Sequence, residues 1–376
     1  MIFYLLSLIP ILAWALQWYF NHKVIWKEAA IGAGAALVVA TIFHLIGASD
    51  AFVPSDTETW SGRVHYAQYQ PRWREQYEEA IYRTYTTTDN KGHVTVHTVF
   101  SHWETRRRWH EAQWWVDTEL GRFSIDRGRY LDVLKEFGDF GPVEGDRRTG
   151  EHDSHMIEGV AYDDQTINEN GYVYPVTIRQ KFDNRLLKAK GSLYNFEPVS
   201  DTQAINLFEW PKNDNRFESD RLLGTANILW DRRNWDQMNA VLGPTKNVNL
   251  IAIGFPTGTS LETGMLQEQY WKGGKKNDLV LTFGGNPQRP EWTYVFGWTE
   301  KQAVKRLLEN RLRQGEATIE EITSLVEAEY QLLPFEEKFE YVEIATPWWY
   351  YLIFFIVVGV SQGFAHFVFV TNYESK

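Results

Sequence analysis

A turn rich in Gly and Lys carries the most suggestive chemistry in the chain. Its sequence is Lys272-Gly273-Gly274-Lys275-Lys276-Asn277-Asp278. A phosphate-binding loop leads from a strand into a helix and has the spacing G-x-x-x-x-G-K-[ST]. This turn lacks that spacing and precedes an apolar run that we predict to be a strand. We therefore exclude nucleotide binding by this turn.

A ligand site at the edge of a sheet is a second interpretation of the same turn. Ligands of α/β sheets bind at loops that flank the strands, and a Gly-Gly loop follows the predicted strand. The sequence thus predicts a ligand site built from Lys275, Lys276, Asn277, Asp278, Gly284 and Gly285. The alternative is that the turn only ends the preceding helix. Its glycines would cap the helix, its lysines would complement the helix dipole, and Asn277 and Asp278 would fix the turn.

An aromatic and arginine-rich stretch is the second chemical candidate. Arginine stacks readily on tryptophan through cation–π attraction, and such pairs suit the binding of a sugar or an acidic partner. The sequence therefore predicts a partner or glycan surface at Trp103, Arg107, Trp109 and Trp114. The alternative is an aromatic hairpin core flanked by solvated arginines.

Histidines and carboxylates near this stretch have the types of metal ligands. They are His97, His102, Glu104, His110 and Glu111, and a loop adds His152, Asp153 and His155. His97 and His102 are an odd number of residues apart, so a regular strand would place them on opposite faces unless a bulge intervenes. The loop group lacks a fourth ligand. We therefore predict no cofactor, with a divalent metal as the alternative.

The composition excludes several classes of protein. The 376 residues include no Cys, which excludes disulfides, thiol catalysis and thiolate metal sites. Lys and Arg number 38 against 49 Asp and Glu, giving a net charge of −11, which does not suit nucleic-acid binding. The sequence has no Ser-His-Asp order, no nucleophile elbow and no pair of carboxylates at a spacing typical of a catalytic site. A non-enzymatic role is favoured.

Three uncharged apolar runs predict an integral membrane protein. They cover residues 2–20, 29–48 and 346–372, and each is about long enough to cross a bilayer as a helix. Lys23 and Lys27 between the first two runs predict a cytoplasmic loop, which makes residues 49–345 extracytoplasmic. The second run contains small residues that would let helices approach closely, so an oligomer could form through Gly32, Gly34 and Ala36.

The sequence as a whole predicts an α+β membrane protein in four parts. Residues 1–48 form a transmembrane hairpin of two helices, and residues 346–376 form a third transmembrane helix with a short tail. Residues 49–220 are β-rich and aromatic, with a hairpin turn at Asp89-Asn90-Lys91-Gly92. Residues 221–345 are predicted to form an α/β sandwich. The predicted elements are a long helix that stops at Gly243-Pro244, two buried strands from 247 and 277, another strand and further helices.

Five short stretches resemble a family of uncharacterised membrane proteins of tailed bacteriophages. They are Trp60-Ser61-Gly62-Arg63-Val64, Phe123-Ser124-Ile125-Asp126-Arg127, 184–195, Lys246-Asn247-Val248-Asn249 and 270–278. The resemblance implies a phage protein in the host inner membrane, bound to the lipid bilayer and to a host or phage envelope protein. Some relatives carry a Cys- and His-rich hairpin where residues 84–114 lie, and this chain has no Cys there.

The order of elements in residues 222–332 is similar to the TPM domain. That resemblance implies a membrane-tethered module, and some members of the family bind divalent metal or hydrolyse phosphoesters. The acidic signature expected before the first helix is not matched, with Asp220 and Asp231 as the nearest carboxylates. Two functions follow from the sequence: a membrane-anchored interaction protein without catalysis, or a TPM-like hydrolase with its site around Asp278.

Overall fold

The computed structural model describes residues 2–21, 26–48, 52–137, 151–152, 155–158, 164–187, 196–211, 217–315, 317–331 and 346–373. The chain divides into two compact units. The first consists of Met1–Asp56, Lys181–Glu197 and Pro334–Lys376, and the second of Thr57–Gln180 and Pro198–Leu333. The predicted boundary between residues 220 and 221 therefore lies inside the second unit.

The helices within the described residues are α1 (Ile2–Asn21), α2 (Trp26–Ala48), α3 (Arg127–Phe137), α4 (Asp201–Ala204), α5 (Ala226–Leu229), α6 (Arg232–Lys246), α7 (Leu261–Tyr270), α8 (Gln302–Gln314), α9 (Ile319–Glu329) and α10 (Trp348–Tyr373). The strands are β1 (Ser55–Gln70), β2 (Trp73–Thr88), β3 (Val94–His110), β4 (Gln113–Thr118), β5 (Gly121–Ile125), β6 (Glu151–His152), β7 (His155–Glu158), β8 (Asp164–Ile167), β9 (Pro175–Asp183), β10 (Leu222–Gly224), β11 (Asn249–Phe255), β12 (Asp278–Asn286) and β13 (Arg289–Gly297). The predicted mixed α+β class is confirmed.

Helices α1, α2 and α10 of the first unit pack around aromatic rings and small residues. Phe3, Phe43 and Phe354 are buried together. On α2, Gly32 and Ala36 are buried, and the Gly32 carbonyl accepts a hydrogen bond of 2.8 Å from Gln362 Nε2 on α10. These two small residues therefore serve close packing within the chain. Gly34, the third residue predicted for oligomerisation, is exposed.

One segment of α2 meets the requirements of a membrane span. Among the described residues, Ala30–Gly47 is long and apolar enough to cross a bilayer, whereas α1 and α10 contain shorter apolar stretches at Phe3–Ala13 and Trp348–Phe364. A single span near the N-terminus also fits a signal sequence or a core helix by the same criteria. Three membrane spans remain a prediction.

The strands of the described residues form three sheets. The first has five strands in the order β5-β4-β1-β8, with β9 also paired to β1. Its core contains side chains of β1, β4 and α3, including Val64, Val116 and Val133. The second sheet has the order β10-β11-β12-β13 and is parallel except for the antiparallel β13. The third has the order β3-β2-β7-β6.

The second sheet has buried apolar side chains on both faces, because alternate residues of a strand point to opposite sides. Leu250 of β11 lies in a cluster with side chains of α6, α8 and α9. Ile251, the next residue, lies in a different cluster with Trp271 and Trp292. Both predicted buried strands, β11 and β12, are confirmed as members of this sheet.

The predicted long helix before β11 is wrong in two respects. Its first part is the short strand β10 followed by α5, because Gly224 adopts a φ of +58° against the carbonyl of Gly254. Helix α6 then begins after Asp231, which caps it by accepting a hydrogen bond of 3.0 Å from the Asn234 amide. The predicted stop at Gly243-Pro244 lies inside α6. The helix ends at Lys246, and its C-cap Asn247 has backbone angles in the left-handed region.

The predicted hairpin turn is confirmed, but one of its strands differs from the prediction. Gly92 has a φ of +85°, and the Asp89 carboxylate accepts hydrogen bonds of 2.8 Å from the Lys91 amide and 2.9 Å from the His93 amide. The strand paired with β3 is β2, while β1 pairs with β4 in a different sheet. Strand β2 is rich in Glu, Arg and Thr and has no clear hydrophobic alternation.

Candidate functional site

The predicted ligand residues before β12 are engaged inside the protein. The Asp278 carboxylate is fully buried and accepts hydrogen bonds of 2.7 Å from Asn249 Nδ2, 2.9 Å from Trp210 Nε1 and 2.8 Å from the Lys275 amide. Burial raises the pKa of this carboxyl, while the hydrogen bonds oppose the shift. Both carboxylate oxygens thus face N–H donors, which is the turn-fixing arrangement rather than that of a cation ligand.

The two neighbouring residues of the turn bind the start of β1. Lys276 Nζ lies 3.0 Å from Glu58 Oε1, and both side chains are largely buried. Asn277 Nδ2 donates a hydrogen bond of 2.8 Å to the Thr59 carbonyl. These contacts join the first sheet to the second.

Gly284 and Gly285 lie at the opposite end of β12 from Asp278. Gly284 is six positions after Asp278, which corresponds to about 20 Å along an extended strand. Gly284 is close to the Trp292 indole of β13, and Gly285 has a φ of +93° near the turn between β12 and β13. The structure therefore does not bring the two halves of the predicted ligand site together.

A buried arginine extends the hydrogen-bond network around Asp278. Arg221 is 1% exposed and donates hydrogen bonds of 2.7 Å to Asn249 Oδ1, 3.3 Å to Asp236 Oδ1 and 2.5 Å to Ser61 Oγ. Burial raises the pKa of Asp236, and the guanidinium opposes that shift. The network connects β1, β11, β12 and α6, and it is closed to solvent. Its arrangement suits a structural role.

Among the described residues, the histidines and carboxylates considered for the alternative metal site are not assembled into a group. Within the described residues, no group of three His, Asp or Glu side chains could hold a metal. A bulge at Ser101 does place His97 and His102 on the same face of the hairpin, where they pair with Tyr85 and Ile81. Ile81 and Tyr85 are four positions apart on β2, so the two pairs are about 13 Å apart along the strand.

The other residues with the types of metal ligands lie partly within and partly outside the described residues. His110 contacts Glu75 at 2.7 Å at the hairpin base. Asp153 and the side chains of His152 and His155 lie outside the described residues.

A cleft of about 450 Å³ lies between α3 and the beginning of α6. Its charged side chains include both signs and bind one another. Arg129 lies 3.4 Å from Glu218 Oε1 and donates a hydrogen bond of 3.2 Å to the Tyr174 hydroxyl. Arg233 pairs with Glu136. These contacts engage the charged groups of Arg129, Glu218, Arg233 and Glu136 within the protein.

The long hairpin of β2 and β3 has a distinctive surface. Paired residues of antiparallel strands share a face, so the register of β2 and β3 assigns each side chain to one of two faces. One face carries six large apolar side chains that are at least half exposed. We call it the aromatic face, and its members are Tyr82 60%, Val94 63%, Val96 62%, Phe100 50%, Trp103 60% and Trp109 55%.

Ring contacts confirm the assignment of the aromatic face. Tyr82 and Phe100 are neighbours at 6.1 Å between ring centroids, and Phe100 and Trp103 are 5.6 Å apart. The Arg74 guanidinium lies 5.5 Å from the centre of the Trp109 ring, as the cation–π prediction expects. Nearer the tip, Val94 and Val96 of β3 pair with Thr88 and Thr86 of β2.

Three of the four predicted surface residues belong to this hairpin. Trp103 and Trp109 are on the aromatic face, and Arg107 lies on it between them, with its Nε 3.4 Å from Gln76 Oε1. Trp114 is instead on β4, where its ring is stacked 5.4 Å from Tyr69 against the core of the first sheet. The structure thus separates Trp114 from the other three.

Charge pairs on the opposite face hold the base of the hairpin. Glu75 is 6% exposed and contacts Arg108 Nη2 at 2.8 Å and His110 Nε2 at 2.7 Å. The His110 ring stacks on Trp73 at 4.1 Å. Burial acts to raise the pKa of Glu75, but the hydrogen bonds from His110 and Arg108 outweigh it and lower the pKa below its ordinary value of 4.5.

The lowered pKa makes the stability of this base depend on pH. A carboxyl with a lower pKa in the folded state stabilises it above the unfolded pKa and loses that effect as pH falls through the folded pKa. We expect Glu75→Gln to lower the free energy of unfolding by about 1–2 kcal/mol at neutral pH. The difference should shrink as pH falls below about 4.5 and disappear once pH is below the lowered pKa of the folded state. Thermal unfolding of both proteins across this pH range checks it. A difference that stays constant with pH would show that ionised Glu75 is not responsible.

Comparison with protein-family models, with curated proteins and with solved structures finds no match. The function is therefore inferred from the residues themselves.

Proposed function

We propose that this protein is a membrane-anchored interaction protein, without a catalytic role, that binds its partner through the aromatic face of the β2–β3 hairpin. The observation that carries this proposal is the exposure of six large apolar side chains on one face. Contiguous apolar surface is rare on soluble proteins, and it commonly marks an interaction site.

The construction of the hairpin supports this interpretation. Strand β7 pairs with β2 only at Arg74, Glu75 and Gln76, so the described hairpin is two-stranded from there to its tip. Two-stranded hairpins are only marginally stable in water. Burying a large apolar side chain contributes about 1.5–3 kcal/mol. A partner on the aromatic face would therefore stabilise the hairpin as well as bind it.

Membrane anchoring is supported by the outer surfaces of α1, α2 and α10. All three helices expose large apolar residues, among them Leu12 at 59%, Leu45 at 64% and Phe364 at 68%. Trp348 at the start of α10 is 76% exposed, in keeping with an aromatic residue at a membrane interface. We propose three spans, with residues 49–345 outside the cytoplasm. The resemblance to phage membrane proteins supports a host envelope as the setting.

The hydrolase alternative has no specific observation in its favour. Its expected centre, Asp278, has both oxygens occupied by N–H donors and is closed to solvent. Asp278 therefore offers no free carboxylate oxygen to a metal or a substrate.

Cysteine protection tests the proposed surface. Phe100 lies on the aromatic face at 50% exposure, and its neighbour Val99 lies on the opposite face at 45%. The chain contains no native Cys, so each position can carry the only thiol. We expect Phe100→Cys to resist an impermeant maleimide in native membranes and to react once the protein is unfolded. Val99→Cys should react in both samples. Equal reactivity of both thiols in membranes would contradict the proposal.

The proposed topology predicts labelling at the hairpin tip. Asn90 lies in the turn between β2 and β3 and is exposed. We expect Asn90→Cys to react with the same reagent in cells whose outer membrane is permeabilised and whose inner membrane is intact. Reaction only after the inner membrane is broken would reverse the orientation and direct the search to cytoplasmic partners.

A further inference from the structure

We infer that the partner on the aromatic face is a second copy of this chain, so that two β2–β3 hairpins pack face to face. This inference rests on the proposed function of the aromatic face and identifies its occupant. It follows from the charge and the area of that face.

The outer part of the aromatic face carries no charge. From the Ala80–Trp103 pair to the tip, the β2 residues on this face are Ala80, Tyr82, Thr84, Thr86 and Thr88, and the β3 residues are Val94, Val96, Thr98, Phe100 and Trp103. The charged residue of this part, Arg83, pairs with Val99 on the other face. The occupant must therefore be uncharged as well, because a charge buried there would lie without a partner.

A second copy supplies such a surface despite the acidity of the chain. The net charge of −11 makes two copies repel each other in general. The outer aromatic face is a place where two copies can meet without bringing like charges together. Its Val and Thr residues are β-branched and lie between the aromatic rings and the tip of the hairpin. β-Branched and aromatic side chains are the types that pack well between two sheets about 10 Å apart.

The exposed area is sufficient for a dimer. An aromatic side chain presents about 150–250 Å² of surface, so the exposed fractions of the five large apolar members on the outer part leave on the order of 500 Å² of apolar surface per copy. A face-to-face pair would bury about 1,000 Å², which is the lower limit for a specific interface. Confinement of both copies to one membrane would raise their effective concentration.

Oxidative cross-linking of the full-length protein in native membranes tests this inference. Two differently tagged copies are co-expressed with one cysteine each, at Phe100→Cys or at Thr98→Cys. Thr98 is on the aromatic face opposite Thr84, 3.4 Å away between hydroxyl oxygens, and its replacement removes no ring. We expect both variants to shift to twice the mass of the chain, in a product that carries both tags. Val99→Cys is the matched control and should stay monomeric.

The outcomes separate this inference from the proposed function. If Phe100→Cys and Thr98→Cys resist maleimide in membranes but give no product with both tags, the face is covered by something else and the second copy is excluded. If both thiols react freely in membranes, the inference and the proposed function fail together. Equal cross-linking at Val99 would show chance collisions and would also overturn the dimer.

Discussion

Replacing Arg221 with methionine is expected to lower the free energy of unfolding by about 3–5 kcal/mol, the range for removing one partner of a buried ion pair. Arg221 is 1% exposed, and its loss would leave Asp236, which is 5% exposed, with a buried charge and no cation at 3.3 Å. The Asn249 and Ser61 side chains would lose their donor as well. Methionine fills a similar volume, so the effect reports mainly on the polar network.

Chemical unfolding of the full-length protein in detergent, followed by tryptophan fluorescence, measures this change. Arg232→Met is the matched control, because Arg232 pairs with Asp220 at 3.1 Å with both side chains more than half exposed. An exposed pair contributes at most about 1 kcal/mol. Equal effects of the two substitutions would show that the Arg221 network does not stabilise the fold.

Asp278→Ala is expected to lower the free energy of unfolding by about 3 kcal/mol or more. The substitution leaves three donors without an acceptor: the buried Asn249 amide, and the partly buried Trp210 indole and Lys275 backbone amide. Each such loss costs about 1–3 kcal/mol when the donor is buried. Asp278→Asn should also be destabilising, because its amide group would turn a donor toward these donors. The same unfolding measurement applies, with the exposed Asp220→Ala as the control.

Divalent cations separate this structural role of Asp278 from the metal-binding alternative. If the site held a metal, a hundredfold excess over Kd would stabilise the wild type by about 2.7 kcal/mol. We expect Mg²⁺ and Mn²⁺ to leave the unfolding of both the wild type and Asp278→Ala unchanged. A stabilisation of the wild type that Asp278→Ala abolishes would favour the hydrolase over the interaction protein.

The sequence predicted the elements whose hydrophobic pattern matches their local structure. Strands β11 and β12 are short apolar runs, and the β2–β3 turn has a Gly where a positive φ is needed. Strand β2 was missed because its alternation is not between apolar and polar residues. The small strand β10 was missed because its pairing with β11 comes from outside the segment, which otherwise resembles a helix.

The candidate surfaces were predicted less evenly. Trp103, Arg107 and Trp109 were identified by their types, but the faces of a hairpin depend on register, and the bulge at Ser101 changes which residues share a face. The Arg221 network was missed because Ser61, one of its partners, is 160 residues away in the chain. The separation of Gly284 from Asp278 was within reach of the sequence, since six extended residues already place them about 20 Å apart.

The hydrogen bond from Asn277 to the Thr59 carbonyl can form only late in the synthesis of the chain. These residues are 218 positions apart, and a ribosome adds about 5–20 residues per second. The beginning of β1 therefore emerges about 10–40 s before the turn that binds it. During that interval Glu58 and Thr59 lack their partners Lys276 and Asn277, which lie in the turn that precedes β12. The contacts of the β2–β3 hairpin are local, so the hairpin can already form and present its aromatic face.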